Sequence, residues 1–171
     1  EDADVRDPAS WAAALDEDIA LVIAMHVSSN SGALADIAGI AAAAKAAGAR
    51  CIADCAQSVG VMPVTPTLWG VDAVLGTSVK WLCGGPGAGW LWVAPHDRTA
   101  LDPMERGWWS HDNPFEMDIH AFRYAPDARR WWGGTPDVAP FILSMAGISE
   151  IAAIGVEAIG AHNRVLQAML G

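Results

Sequence analysis

At 171 residues, 53% of them hydrophobic, the chain is long enough for one domain with a substantial core, and its composition is not that of a disordered segment. Twenty Asp and Glu against ten Lys and Arg leave a formal charge of -10, which argues against nucleic acid or an anionic membrane surface as partner. No apolar run reaches the roughly 18 residues that span a bilayer, and the acidic opening Glu1-Asp2-Ala3-Asp4 is unlike a signal peptide, so a cytoplasmic location is expected.

Residues Ile19 to Met25 form a continuous, branched apolar run, which predicts a strand buried on both faces of a parallel sheet. The polar loop His26-Val27-Ser28-Ser29-Asn30-Ser31-Gly32 follows. From Ala33 to Ala47 an alanine-rich stretch carries Leu34, Ile37 and Ile40 at helical spacing, and Gly48 supplies the stop. Arg50-Cys51-Ile52-Ala53 is a second short strand ending at Asp54, so the first 54 residues contain a β-loop-α-β unit of the kind that makes a right-handed crossover between parallel strands. Val71 to Leu75 predicts a third strand, delivering Thr77, Ser78 and Lys80, and Gly89 to Ala94 a fourth, closed by Pro95. The pattern is α/β. From Asp97 to Asp137 charges, Gly, Pro and Trp interleave without periodicity, and long surface loops are expected. From Pro140 to Leu170 apolar residues recur at three and four, which predicts a helical segment broken near Gly155 or Gly160.

Asp54 and Lys80 stand 26 residues apart, each at or just past a strand end, where ligands of open α/β sheets bind. An acid and a lysine so disposed suit a pyridoxal phosphate site. The lysine carries the cofactor as a Schiff base, and the aspartate keeps the pyridine nitrogen protonated so that the ring draws electrons. Burial of Lys80 is expected to favour its neutral, nucleophilic amine. Gln57 offers a hydrogen bond to the cofactor's phenolic oxygen, and Thr77 and Ser78 offer hydroxyls to phosphate. The cluster Gly84-Gly85-Pro86-Gly87 is followed by a strand rather than a helix, so it reads as a tight turn behind the lysine and not a nucleotide-binding loop.

His26 and His111 fall in candidate active-site loops. Cys51, Cys55 and Cys83 are expected to be free thiols, and with no paired His or Cys at ligand spacing no metal site is expected.

Three segments, Asp54-Cys55-Ala56-Gln57-Ser58-Val59-Gly60, Trp69-Gly70-Val71-Asp72 and Val79-Lys80-Trp81-Leu82 with Gly84-Gly85-Pro86-Gly87, resemble the fold-type I pyridoxal-phosphate enzymes of the class V aminotransferase group. Gly107-Trp108-Trp109-Ser110-His111, Asn113-Pro114-Phe115 and Gly133-Gly134-Thr135-Pro136 make the resemblance strongest to kynureninase. It implies a three-layer α/β fold with a mainly parallel sheet, the large domain of that group, here incomplete. Residues 1–136 would be part of the cofactor-binding large domain lacking its N-terminal portion. Residues 137–171 would be a helical segment leading towards a missing C-terminal domain.

The resemblance further implies that Lys80 is the internal aldimine lysine and the general acid and base, that Asp54 partners the pyridine nitrogen, and that Thr77 binds phosphate. Trp108 and Thr135 would reach the cofactor or its phosphate, in this family often from the neighbouring subunit of a homodimer. The reaction implied is hydrolysis of the Cβ–Cγ bond of kynurenine to anthranilate and alanine. Gln57, where kynureninases usually have His, and the loop Met25-His26-Val27-Ser28-Ser29 are instead similar to cysteine desulfurases and related aminotransferases, which is the alternative reaction. An inactive, truncated homologue serving as an interaction module is the alternative outside catalysis.

Overall fold

The computed structural model describes residues 4–170. Asp7 accepts from the backbone of Ala9 and Pro8 sits at the first helical position, so α1 (Pro8–Ala14) starts on two strong signals within three residues. Strand β1 (Leu21–Met25) leads into α2 (Ile37–Ala46), capped by the Asp36 carboxylate on the Gly39 N–H, and α2 returns to β2 (Arg50–Asp54). The four-residue α3 (Pro66–Trp69) stands before β3 (Ala73–Thr77), and β4 (Gly89–Val93) follows. The four strands lie in sequence order, with β1, β2 and β3 parallel and β4 hydrogen-bonded beside β3.

Register makes the sheet two-sided. Met25 pairs with Asp54 and Asp54 with Leu75, so side chains of equal parity share a face. Val22, Ala24, Cys51, Ala53 and Val74 are buried with Ile37, Ile40, Ala41 and Ala44 of α2 in one apolar cluster. Each buried Val or Ile of the cluster contributes about 1.5–3 kcal/mol, and each Ala about one methyl's worth, ~0.8 kcal/mol. On the other face Leu21, Ile23 and Met25 remain exposed. The expectation of burial on both faces is therefore corrected for β1. Its apolar run is continuous, yet only alternate residues are buried: Leu21, Ile23 and Met25, on the second face, stay exposed. The α/β class with a mainly parallel sheet is as the resemblance implied.

Asp72 closes the β2–β3 connection by accepting from the Cys51 N–H at 2.7 Å while its own N–H donates to the Cys51 carbonyl. That pairing gives the Trp69-Gly70-Val71-Asp72 segment its structural role. Two longer helices end the chain: α4 (Ala139–Ile154) and α5 (Val156–Leu170), bent by 76° at Gly155, whose φ of +88° lies in the region where a side chain is strained. The helical segment and its break, at the first of the two positions expected, are thus observed. Among the described residues no single helix is long and apolar enough to cross a membrane.

By contact density the chain forms two units, one running to Trp92 and resuming at Ala139, the other Val93–Val138. The second is more ordered than its aperiodic sequence suggests. It holds two single-turn 3₁₀ helices, η1 (Trp108–Ser110) and η2 (Ala128–Trp131). Its anchor is the buried Arg130, whose guanidinium donates to the Leu101 carbonyl at 3.1 Å and to Asp102 at 2.9 Å and lies over the Tyr124 ring. An interior in which Arg130 is buried with Asp97, Ser110 and His111 has no hydrophobic period to reveal it.

Candidate active site

The carboxyl ends of β2 and β3 bring three of the sequence-selected residues to the same edge of the sheet. Asp54 ends β2 on the uncovered face, beside Met25 and Leu75, and Thr77 follows Leu75 on that face at the end of β3. Asp54 Oδ1 accepts from the Ala56 N–H at 2.8 Å, which shapes the turn. Gln57 is half-buried in the same loop. Thr77 Oγ1 donates a long 3.4 Å bond to the Ala88 carbonyl.

Lys80 stands three residues beyond β3 in a turn closed by Cys83 N–H to the Lys80 carbonyl at 3.0 Å and Gly84 N–H to the Ser78 carbonyl at 2.8 Å. It is exposed, not buried as its proposed chemistry had suggested, because it stands in a turn beyond the strand between exposed Val79 and Trp81. Cys83 in this turn has φ +54°, a non-glycine residue in the left-handed region.

What joins the Asp54 loop to the lysine turn is Gly60. A Cβ there would lie 2.8 Å from the Trp81 carbonyl oxygen and 3.2 Å from Leu82, and its φ is +94°. Only glycine satisfies both the conformation and the approach. The two halves of the Asp…Lys pattern are thus in backbone contact, across a sequence separation of 20 or more residues.

Thr77 and Ser78 part company at the strand end. Ser78 is buried on the helix side, with its hydroxyl 2.8 Å from Ser144 of α4, and so is unavailable to a ligand. His26 is also buried on the covered side, 2.9 Å from Ser58 Oγ through Nδ1 and edge-on to Trp69. Ser58 donates to the Cys55 carbonyl, so His26 is the donor in that pair. Burial pushes its pKa below the ordinary histidine value. Burial likewise pushes the Cys51 and Cys55 thiols up to about 11, so they are neutral and inert near pH 7.

Trp108 and Thr135 lie in the second unit and are joined to each other, the indole N–H donating to Thr135 Oγ1 at 3.2 Å. Both are exposed. Beside them a cavity of about 210 Å³ is lined by Arg106, Trp108, His111, Asn113 and Phe122 among others. His111 Nδ1 lies 2.9 Å from the Asn113 N and 2.8 Å from Asp112 Oδ1, and its Nε2 meets the Ala121 carbonyl at 2.8 Å, so both ring nitrogens are engaged within the unit.

The aminotransferase class-V family matches residues 2–171. The chain belongs to that family. Kynureninase from Burkholderia mallei (strain SAVP1) is 31% identical over 156 residues, covering 91% of this chain and 37% of the relative. Kynureninase from Deinococcus radiodurans is 37% identical over 123 residues, covering 71% of this chain and 30% of the relative. The apo structure of cysteine desulfurase from Thermococcus onnurineus NA1 superposes with a TM-score of 0.75 at 24% identity, covering 88% of this chain and 37% of that one. The fold is therefore that of the fold-type I pyridoxal-phosphate enzymes, and the chain spans about a third of the length of these relatives. The family and its structural neighbours depend on pyridoxal phosphate.

The donor set fits that cofactor. A carboxylate and a hydroxyl at the ends of β2 and β3 and a primary amine in the turn just beyond β3 are the groups that suit a pyridine nitrogen, a phosphate and an aldehyde, and Gly60 keeps the loops that carry the carboxylate and the amine in contact.

Proposed function

We propose that this chain is the lysine-bearing part of a pyridoxal-phosphate enzyme acting on an amino acid, with hydrolytic Cβ–Cγ cleavage of kynurenine to anthranilate and alanine as its reaction. The packing of the Asp54 loop on the Lys80 turn through Gly60 carries the cofactor reading. The two kynureninases, 31% and 37% identical, support the choice of reaction.

When bound, the cofactor supplies an electron sink for the substrate's reacting carbons. Lys80 would hold it through its amine and would move the proton at the substrate Cα. Asp54 keeps the ring nitrogen protonated, a charge-assisted contact for which Oδ2 lies outside the Ala56 turn bond. Gln57 donates to the phenolic oxygen and Thr77 to the phosphate. Trp108 and Thr135, held together by their hydrogen bond, reach the cofactor of a partner subunit in a homodimer. In the hydrolysis, water adds to the Cγ carbonyl, the Cβ–Cγ bond breaks, Cγ leaves as the anthranilate carboxyl, and a proton replaces it on Cβ.

Cysteine desulfuration is the second reading, supported by Gln57 and by the desulfurase likeness in fold. Borohydride reduction after incubation with pyridoxal phosphate is expected to fix the cofactor on the Lys80 peptide and to leave none there in Lys80→Ala. A protein that gives no adduct at Lys80 refutes the cofactor reading. Release of anthranilate from kynurenine, against release of sulfur from cysteine, then decides the reaction.

A further inference from the structure

We infer that Ser144 of α4 is a positioning residue for Lys80, acting through Ser78, an inference that rests on the cofactor reading of Lys80 given above. Ser78 is held at every polar atom: its N–H donates to the Ala88 carbonyl at 2.9 Å and its carbonyl accepts from Gly84. Its hydroxyl meets Ser144 Oγ at 2.8 Å and lies 3.1 Å from the Ala88 carbonyl and 3.3 Å from that of Gly85. Both serines are only 1% exposed. Ser144 Oγ in turn donates to the Pro140 carbonyl at 2.7 Å, one helical turn back. Two hydroxyl protons thus serve one continuous chain from the lysine turn to the helix backbone.

Pro140, Ser144 and Gly147 lie on one face of α4 at spacings of four and three, and each meets the turn behind the lysine. A Cβ on Gly84 would lie 2.7 Å from Ser144 Oγ, one on Gly87 would lie 2.9 Å from Pro140, and one on Gly147 would collide with the carbonyls of Leu82 and Cys83. The helix therefore rests nearly backbone to backbone on residues 82–87, with the serine pair as its polar tie. Lys80 is exposed, and Ser144 grips the turn that carries it through buried atoms. A lysine with several rotatable bonds reaches a cofactor carbon reproducibly only if its Cα is fixed.

Removing either hydroxyl leaves no buried orphan, since Ser78 falls back on the Ala88 carbonyl and Ser144 on that of Pro140. Ser144→Ala should then loosen the turn without unfolding the sheet. Amide exchange at residues 78–84 in the cofactor-free protein should rise about fivefold, the equivalent of one neutral hydrogen bond, while that of β1 and α2 is unchanged. Borohydride-trapped adduct at Lys80 should form about fivefold more slowly, Ser144→Thr should restore it, and Ser78→Ala combined with Ser144→Ala should be no slower than Ser78→Ala alone. If Ser144→Ala does not fold, Ser78→Ala breaks the same link and carries the same expectation. Unchanged exchange at 78–84, or a fall in stability with trapping unaltered, overturns the positioning role while leaving the cofactor reading intact. An unmodified Lys80 in the parent protein overturns both.

Discussion

On one face of the sheet Val22, Ala24, Cys51, Ala53 and Val74 are buried beneath α2, while on the other Leu21, Ile23 and Met25, equally apolar, stand exposed beside Asp54 and Thr77. The covered face carries stability, and its polar members, His26, Ser58 and Ser78, are bonded within the chain. The uncovered face carries the groups that can do chemistry on a ligand. The boundary between the two roles falls between adjacent residues, Thr77 at the end of β3 and Ser78 just beyond it, whose hydroxyl is buried against Ser144.

Substitutions that differ only in face should separate these roles. The largest loss is expected for Ile40→Ala, which empties a fully buried site of α2 and should cost about 2–5 kcal/mol in urea unfolding. Gly60→Ala comes next, at about 1–3 kcal/mol, since it combines a left-handed φ with a contact on the Trp81 carbonyl. It should also slow cofactor trapping at Lys80, which Ile40→Ala in the surviving folded fraction should not.

A smaller effect should come from pH. The folded-state pKa of His26 is lowered by burial, so the unfolded chain binds more protons below the ordinary value of about 6.5. Its contribution is fully present above that value and is lost as the pH falls towards the folded pKa. Urea midpoints at pH 7 and pH 5 should differ less in His26→Asn than in the parent. Least of all, Ile23→Ala on the uncovered face should change stability by no more than about 0.5 kcal/mol. A loss as large as that of Ile40→Ala would mean that the face is covered in solution.

Much of this was legible from local signals. Seven apolar residues before His26, an alanine-rich run before Gly48 and the apolar run before Thr77 marked strands and a helix whose bounds moved by only a few residues. The Asp7-Pro8 start of α1 was equally readable and is missing from the expected elements. The Ser78–Ser144 tie was not readable, because 66 residues separate its members and each is a common serine. Nor was the order of the second unit, whose interior buries Arg130 with Asp97, Ser110 and His111.

The sequence by itself determined the α/β class, the family, and the residue types at the ends of β2 and β3, because period, turn chemistry and short motifs are local properties of a chain. Only the tertiary structure decided which face of the sheet is covered, that Lys80 is exposed, and that α4 grips its turn. Those depend on which distant segment comes to rest against a given side chain, and no local pattern encodes that choice.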